Sequence, residues 1–159
     1  MFKRILVAID GSDHSRLVVP TAIAVGRKFQ SEVFVLHISE HDRGRAAAFS
    51  NETPAEAMRL VGDAVKAVRE SGIQARGDVH DVAAGHVARN IVATAAALEC
   101  DLIVMGSRGL SDVQSVFLGS VTHEVLHLAV IAVLVARGPI PVEVRLPKAE
   151  AALPALALA

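Results

Sequence analysis

Gly106, Gly109, Gly119 and Ser120 are spaced as G-x2-G-x9-G-S, a pattern whose chemistry is the holding of phosphate. Glycine lets backbone amides approach phosphate oxygens with no Cβ in the way, and amides at a helix start add the positive end of the dipole. Ser120 adds a hydroxyl donor, and Arg108 brings a charge between the first two glycines. Three glycines and a serine at these intervals arise by chance on the order of 0.003 times in a chain this long. The apolar run before Gly106 and the helical pattern after Ser120 place the motif between a strand and a helix, the context in which such a motif works.

A second pattern points elsewhere. His123-Glu124-Val125-Leu126-His127 is a literal H-E-x-x-H, which on a helix sets both histidines on one face for a shared zinc ion, with the glutamate as general base. A zinc-dependent hydrolase is therefore the alternative function. It needs a third protein ligand, and the only downstream carboxylates are Glu143 and Glu150, in a proline-spaced tail. The histidines read instead as a solvated face, opposite Val121, Val125 and Leu128, and no metal ligand is assigned. His14, His37, His41, His80 and His86 show no ligand spacing, and His37, at a strand end near the pocket, reads as a satisfied core histidine. Cys100 reads as packing. No nucleophile has an adjacent base, and G-x4-G-K-[ST] is absent, which removes a Walker-type ATPase.

The elements that position these residues follow from periodicity. Ile5 to Ile9, Val33 to Leu36, Leu102 to Met105 and Val133 to Val135 are continuous apolar runs of strand length, as expected of a parallel sheet covered on both faces. Ile73 to Val82 is a more polar candidate with the character of an edge strand. The first helix opens at Ser12 as N-cap and places Val18, Ala22, Val25 and Phe29 on one stripe, with Pro20 predicting a kink near Arg16. Thr53-Pro54-Ala55-Glu56 is the capping box of a second helix, which stops at Gly72. Val87, Ile91, Ala95 and Leu98 mark a third, and Val121, Val125 and Leu128 a fourth. Right-handed crossovers fold these units into a Rossmann-like, doubly wound five-stranded parallel sheet with helices on both faces. Ligands bind such sheets beyond the carboxyl ends of the strands, where strand order reverses. Residues 1–137 form one nucleotide-binding domain. Ser39 to Glu52 reads as a loop or lid, and 138–159 as a loosely ordered tail.

Composition narrows the partners. Lys plus Arg number 16 against 17 for Asp plus Glu, so no broad field draws the chain to nucleic acid or an anionic membrane. Trp and Tyr are absent, which removes most stacking platforms for single-stranded nucleic acid. Lys3 and Arg4 precede an apolar run, but Asp10 interrupts it, and no stretch approaches the roughly 20 apolar residues that cross a bilayer. The expectation is a cytoplasmic protein.

G-x2-G-x9-G-S after Asp101-Leu102-Ile103-Val104-Met105 resembles the universal stress protein family, specifically its ATP-binding branch. The likeness extends to Ile5-Leu6-Val7-Ala8-Ile9-Asp10-Gly11-Ser12, Leu36-His37-Ile38, Gly85 before the third helix, and Leu118-Gly119-Ser120-Val121. It implies a homodimer paired through the last strands, binding ATP with Mg2+ and serving stress tolerance as a regulatory module, with slow or no hydrolysis and a downstream partner the sequence does not name. It implies that Asp10 contacts the ribose, that Ala8 and Ile38 flank adenine and that Met105 lines the same pocket. Gly106, Arg108, Gly109, Gly119 and Ser120 would hold the phosphates, with Ile9 and Val121 beside them. A carboxylate at position 10 also suits ribose hydroxyls on chemical grounds, since it accepts their hydrogen bonds. In the similar ATP pyrophosphatase fold the phosphate loop follows the first strand; here that loop is Asp10-Gly11-Ser12-Asp13, whose two carboxylates make a poor phosphate cradle. Val87, Val130 and Ala132 stand where family members commonly carry proline, which bears on local turns and the dimer edge.

Overall fold

The computed structural model describes residues 1–12, 17–41, 52–107 and 118–137. Along the chain the elements are β1 (Arg4–Ile9), α1 (Val18–Phe29), β2 (Glu32–His41), α2 (Pro54–Glu70), β3 (Ala75–Ala83), α3 (Val87–Ala97), β4 (Leu102–Gly106), α4 (Ser120–Leu128) and β5 (Ala132–Ala136). The strands form one sheet in the order β3-β2-β1-β4-β5, every pair parallel. The chain builds outward from β1 through β2 to β3, then returns to the other side of β1 for β4 and β5. Strand order therefore reverses between β1 and β4.

The continuous apolar runs follow from burial on both faces. In β1, Ile5, Leu6 and Val7 have no accessible surface, each such side chain stabilising the fold by about 1.5–3 kcal/mol relative to exposure. Alternate residues serve opposite layers. Ile5, Val7 and Ile9 pack with Val33, Val35 and Val104 under α1 and α2, while Leu6 packs with Leu36, Ile103 and Met105 under α3 and α4. Strand β3 lies at an edge and shows no fully buried position, the physical reason for its polar sequence. Helix α2 crosses it closely: a Cβ on Gly77 would lie 2.5 Å from Val61 Cγ1 and 2.8 Å from the carbonyl oxygen of Val35, so only glycine fits at that crossing.

Several boundaries differ from the sequence reading. Helix α1 does not open at Ser12; its N-cap is Leu17. Ser12 instead turns back on β1, its amide and hydroxyl donating to Asp10 Oδ1 at 3.0 and 2.7 Å, the competition that short polar side chains offer a helix. Pro20 consequently falls in the first turn of α1, where the missing N–H would have had no intrahelical acceptor, and no kink is required. Ser39, Glu40 and His41 do not open a loop but continue β2 and pair with Asp81, Val82 and Ala83; the rest of the expected loop to residue 51, and the tail from 138, lie outside the described residues. Helix α2 has the capping box its sequence announces. The inward stripe of α4 is rotated from the one expected: Thr122 and Val125 are buried, whereas Leu128 is 40% exposed.

Candidate functional site

A cleft of about 220 Å³ opens where strand order reverses, at the carboxyl ends of β1 and β4, the position at which doubly wound sheets take ligands. Parallel register lines up its floor. Ala8 is paired with Leu36 on one side and Met105 on the other, so all three point to the α3/α4 layer, and Ile38 follows two residues along β2. Val87 and Ile91, one turn apart on α3, complete an apolar wall. Such a slot suits a flat, largely apolar ring system.

The opposite wall is polar. Gly106 ends β4, and Gly119, Ser120, Val121 and Thr122 begin α4. Thr122 Oγ1 donates to the Gly106 carbonyl at 2.8 Å and the Gly119 amide to the Ser107 carbonyl at 2.9 Å, which fastens the start of the helix to the end of the strand. Helix α4 has no side-chain cap and no acidic residue in its first turn. The amides of Ser120, Val121 and Thr122 therefore remain as donors at the positive end of the helix, facing the cleft their residues line. Gly119 itself adopts φ −60° and ψ 154°, a conformation open to any residue; absence of a side chain, not backbone freedom, is what glycine contributes there.

Asp10 stands at the end of β1 on the rim of the same cleft. Its Oδ1 takes both bonds from Ser12, which fixes the carboxylate. It is the sole ionisable group among the described lining residues. Ile9 borders the cleft too, but its side chain is buried in the α1/α2 layer, so what it offers is backbone.

Of the residues the sequence nominated, Ala8, Ile9, Asp10, Ile38, Met105, Gly106, Gly119, Ser120 and Val121 come together around this one cleft. Arg108 and Gly109 lie outside the described residues. Leu36, Val87, Ile91 and Thr122 line the cleft and were not nominated. Their signal was present for α3, whose stripe included Val87 and Ile91, but a stripe does not say which of its ends reaches a ligand.

His37 is not part of the cleft. It is 3% exposed and points into the opposite layer, with Nδ1 2.9 Å from the Ile9 carbonyl and Nε2 2.6 Å from Glu52 Oε2. Nδ1–H donates to the carbonyl, and the satisfied histidine expected at this position is what the structure shows. Cys100 is buried beneath the sheet's other end, and burial pushes its thiol up to about 11, far from the depressed values of reactive thiols. In the H-E-x-x-H segment, Glu124 Oε1 lies 3.8 Å from Arg89 Nε on α3. No group of three or more His, Cys, Asp or Glu among the described residues is placed to hold a metal ion.

A larger groove of about 780 Å³ runs between α2 and β3. It lies at the sheet edge, away from the reversal of strand order, and size alone does not make it the site. No helix among the described residues is long and apolar enough to cross a membrane.

Comparison with known proteins agrees with this architecture. The universal stress protein YxiE of Bacillus subtilis is 31% identical over 151 residues, covering 86% of this chain and 100% of that protein. The solved structure of MJ0577 superposes with a TM-score of 0.74 at 23% identity, over 88% of this chain and 99% of its own. A universal stress protein of Archaeoglobus fulgidus in complex with dAMP superposes at 0.65 with 24% identity, over 84% of this chain and 97% of its own. The family model for universal stress proteins matches residues 1–137. The chain belongs to the universal stress protein family.

Proposed function

We propose that this chain binds ATP, with Mg2+, in the cleft between β1 and β4, and acts as a nucleotide-dependent regulatory module in stress tolerance. The observation that carries this reading is the uncapped start of α4, whose amides face a slot with apolar walls and a single fixed carboxylate. The adenine ring would lie between Ala8, Ile38 and Met105, the ribose hydroxyls would donate to Asp10, and the amides of Ser120 to Thr122 with the Ser120 hydroxyl would receive phosphate. Gly106, Gly109, Gly119 and Arg108 would complete the phosphate contacts. The dAMP complex of the Archaeoglobus fulgidus relative supports the adenine nucleotide class.

Turnover is slow or absent. A base must sit within hydrogen-bond reach of the attacking water, and the only carboxylate among the described lining residues is committed at one oxygen to Ser12 and stands at the nucleoside end. Homodimerisation would use β5, the sheet edge beyond β4. Zinc-dependent hydrolysis at His123 and His127 is the weaker reading, because Glu124 faces Arg89.

Calorimetric titration of the full chain with ATP, ADP and AMP, each with Mg2+, tests the proposal together with native mass spectrometry of the freshly purified protein. Saturable binding of adenine nucleotides, strongest for ATP, is the expected result. No binding at millimolar nucleotide overturns it, and rapid ATP turnover abolished by a Gly119 substitution overturns the regulatory reading in favour of an enzyme.

A further inference from the structure

We propose that His123 and His127 form a two-histidine site for an exchangeable transition-metal ion on the solvent face of α4, separate from the nucleotide cleft. The two residues stand four apart within Ser120–Leu128, the interval that brings side chains onto one helix face. Their rings are in contact, with centroids 4.6 Å apart and planes at 70°, and both residues are exposed.

The other described histidines are engaged. His37 lies between the Ile9 carbonyl and Glu52, His41 Nδ1 is 2.6 Å from Asp81, His80 Nδ1 is 2.7 Å from Asn90, and His86 Nδ1 is 3.1 Å from the Ala84 carbonyl. The rings of His123 and His127 have each other and no side-chain hydrogen bond to another described residue. Their ring nitrogens are open to solvent and to a ligand.

Chemistry sets the kind of ion. Imidazole suits borderline metals, and affinity at a nitrogen site rises along the first row to Cu(II). Two imidazole nitrogens at about 2.0–2.1 Å from one ion lie about 3 Å apart, within reach of rings already touching once exposed side-chain torsions rotate. Glu124 does not join them, since it turns to Arg89 at 3.8 Å. Water fills the remaining positions, so the ion exchanges freely and the site is neither a structural centre nor a hydrolytic one. A cation bridging these positions also lies toward the C-terminal end of α4, where the helix dipole favours positive charge, and it ties two successive turns together.

The test titrates the untagged full chain with Cu(II) under glycine competition, read by calorimetry and by electron paramagnetic resonance. Wild type is compared with His123→Gln, His127→Gln and, as control, His86→Gln; glutamine at an exposed helix position preserves the fold, which circular dichroism verifies. One exchangeable Cu(II) per chain is expected, with coupling to two imidazole nitrogens and an affinity at least about tenfold lower in either α4 variant. His86→Gln leaves it unchanged, and Zn(II) binds the same residues more weakly. Equal affinity in wild type and both α4 variants, loss in only one of them, or a signal from a single imidazole overturns the proposal.

Discussion

Helices α2 and α4 begin in opposite ways. At α2 the Thr53 hydroxyl accepts from the Glu56 amide at 3.3 Å, and the Glu56 carboxylate accepts from the Thr53 amide and hydroxyl at 2.7 and 2.8 Å, with Pro54 supplying a position that has no amide to satisfy. At α4 the cap is Gly119, no side chain closes the turn and the first turn carries no acid. One start is closed on itself; the other leaves donors for something else to satisfy. The difference teaches that an unfilled helix start is informative chiefly when the same molecule shows a filled one, and when the unfilled one borders a cleft at the strand-order reversal.

The most direct way to break the contrast is to give α4 the kind of cap that α2 has. Gly119→Asp places a carboxylate over the free amides at a conformation aspartate adopts without strain, so ATP affinity in a calorimetric titration falls about 100-fold, or about 2.7 kcal/mol. Thermal stability stays level or rises slightly, because aspartate exceeds glycine as an N-cap by only a few tenths of a kcal/mol. An unchanged affinity would remove α4 from the phosphate site.

The nucleoside end carries the next effect. Asp10→Asn keeps an acceptor but removes its charge, and hydrogen bonds to charged groups exceed neutral ones by roughly 1 kcal/mol. ATP binding weakens about fivefold in the same titration. Full affinity in this variant would place the ribose away from β1.

The filled start responds in stability instead. Thr53→Ala costs about 1 kcal/mol and lowers the thermal midpoint by about 2–4 °C, while ATP affinity stays within about twofold of wild type. A large loss of ATP binding would mean that the two helix starts are coupled.

The smallest effect is one of pH. The backbone amide and then the hydroxyl of Thr53 hold the Glu56 carboxyl below its ordinary value of 4.5. A carboxyl depressed in the folded state contributes stability that is present above its unfolded value and lost as pH falls through its folded one. Denaturant melts of wild type and Glu56→Gln should therefore differ near neutrality and converge as pH drops below about 4. A constant gap across that range would assign the capping box no ionic component.

How much was legible follows the reach of each signal. The capping box of α2 depends on four consecutive residues, Thr53 to Glu56, and forms as that pattern predicts. The start of α1 depended on whether Ser12 would cap a helix or bond to Asp10, a competition between two local options that the sequence does not rank; the turn won, and Pro20 moved into the first helical turn. The apolar pattern stops short of the end of β2 because Ser39, Glu40 and His41 are polar, yet they pair with β3 at an edge where polar residues are tolerated. The resemblance brought Asp10 and Ile38 into the candidate site, but neither it nor local pattern reached Leu36 and Thr122.

The sequence by itself determined the parallel α/β class, through apolar runs long enough for strands and buried on both faces, and it determined the phosphate-type pattern, because both are local. Only the tertiary structure decided that β4 returns beside β1, that Ala8, Leu36 and Met105 share one floor, and that His37 turns to the other layer. Those outcomes depend on register and on the side of the sheet a crossover takes, and a one-residue slip in register would exchange the two faces.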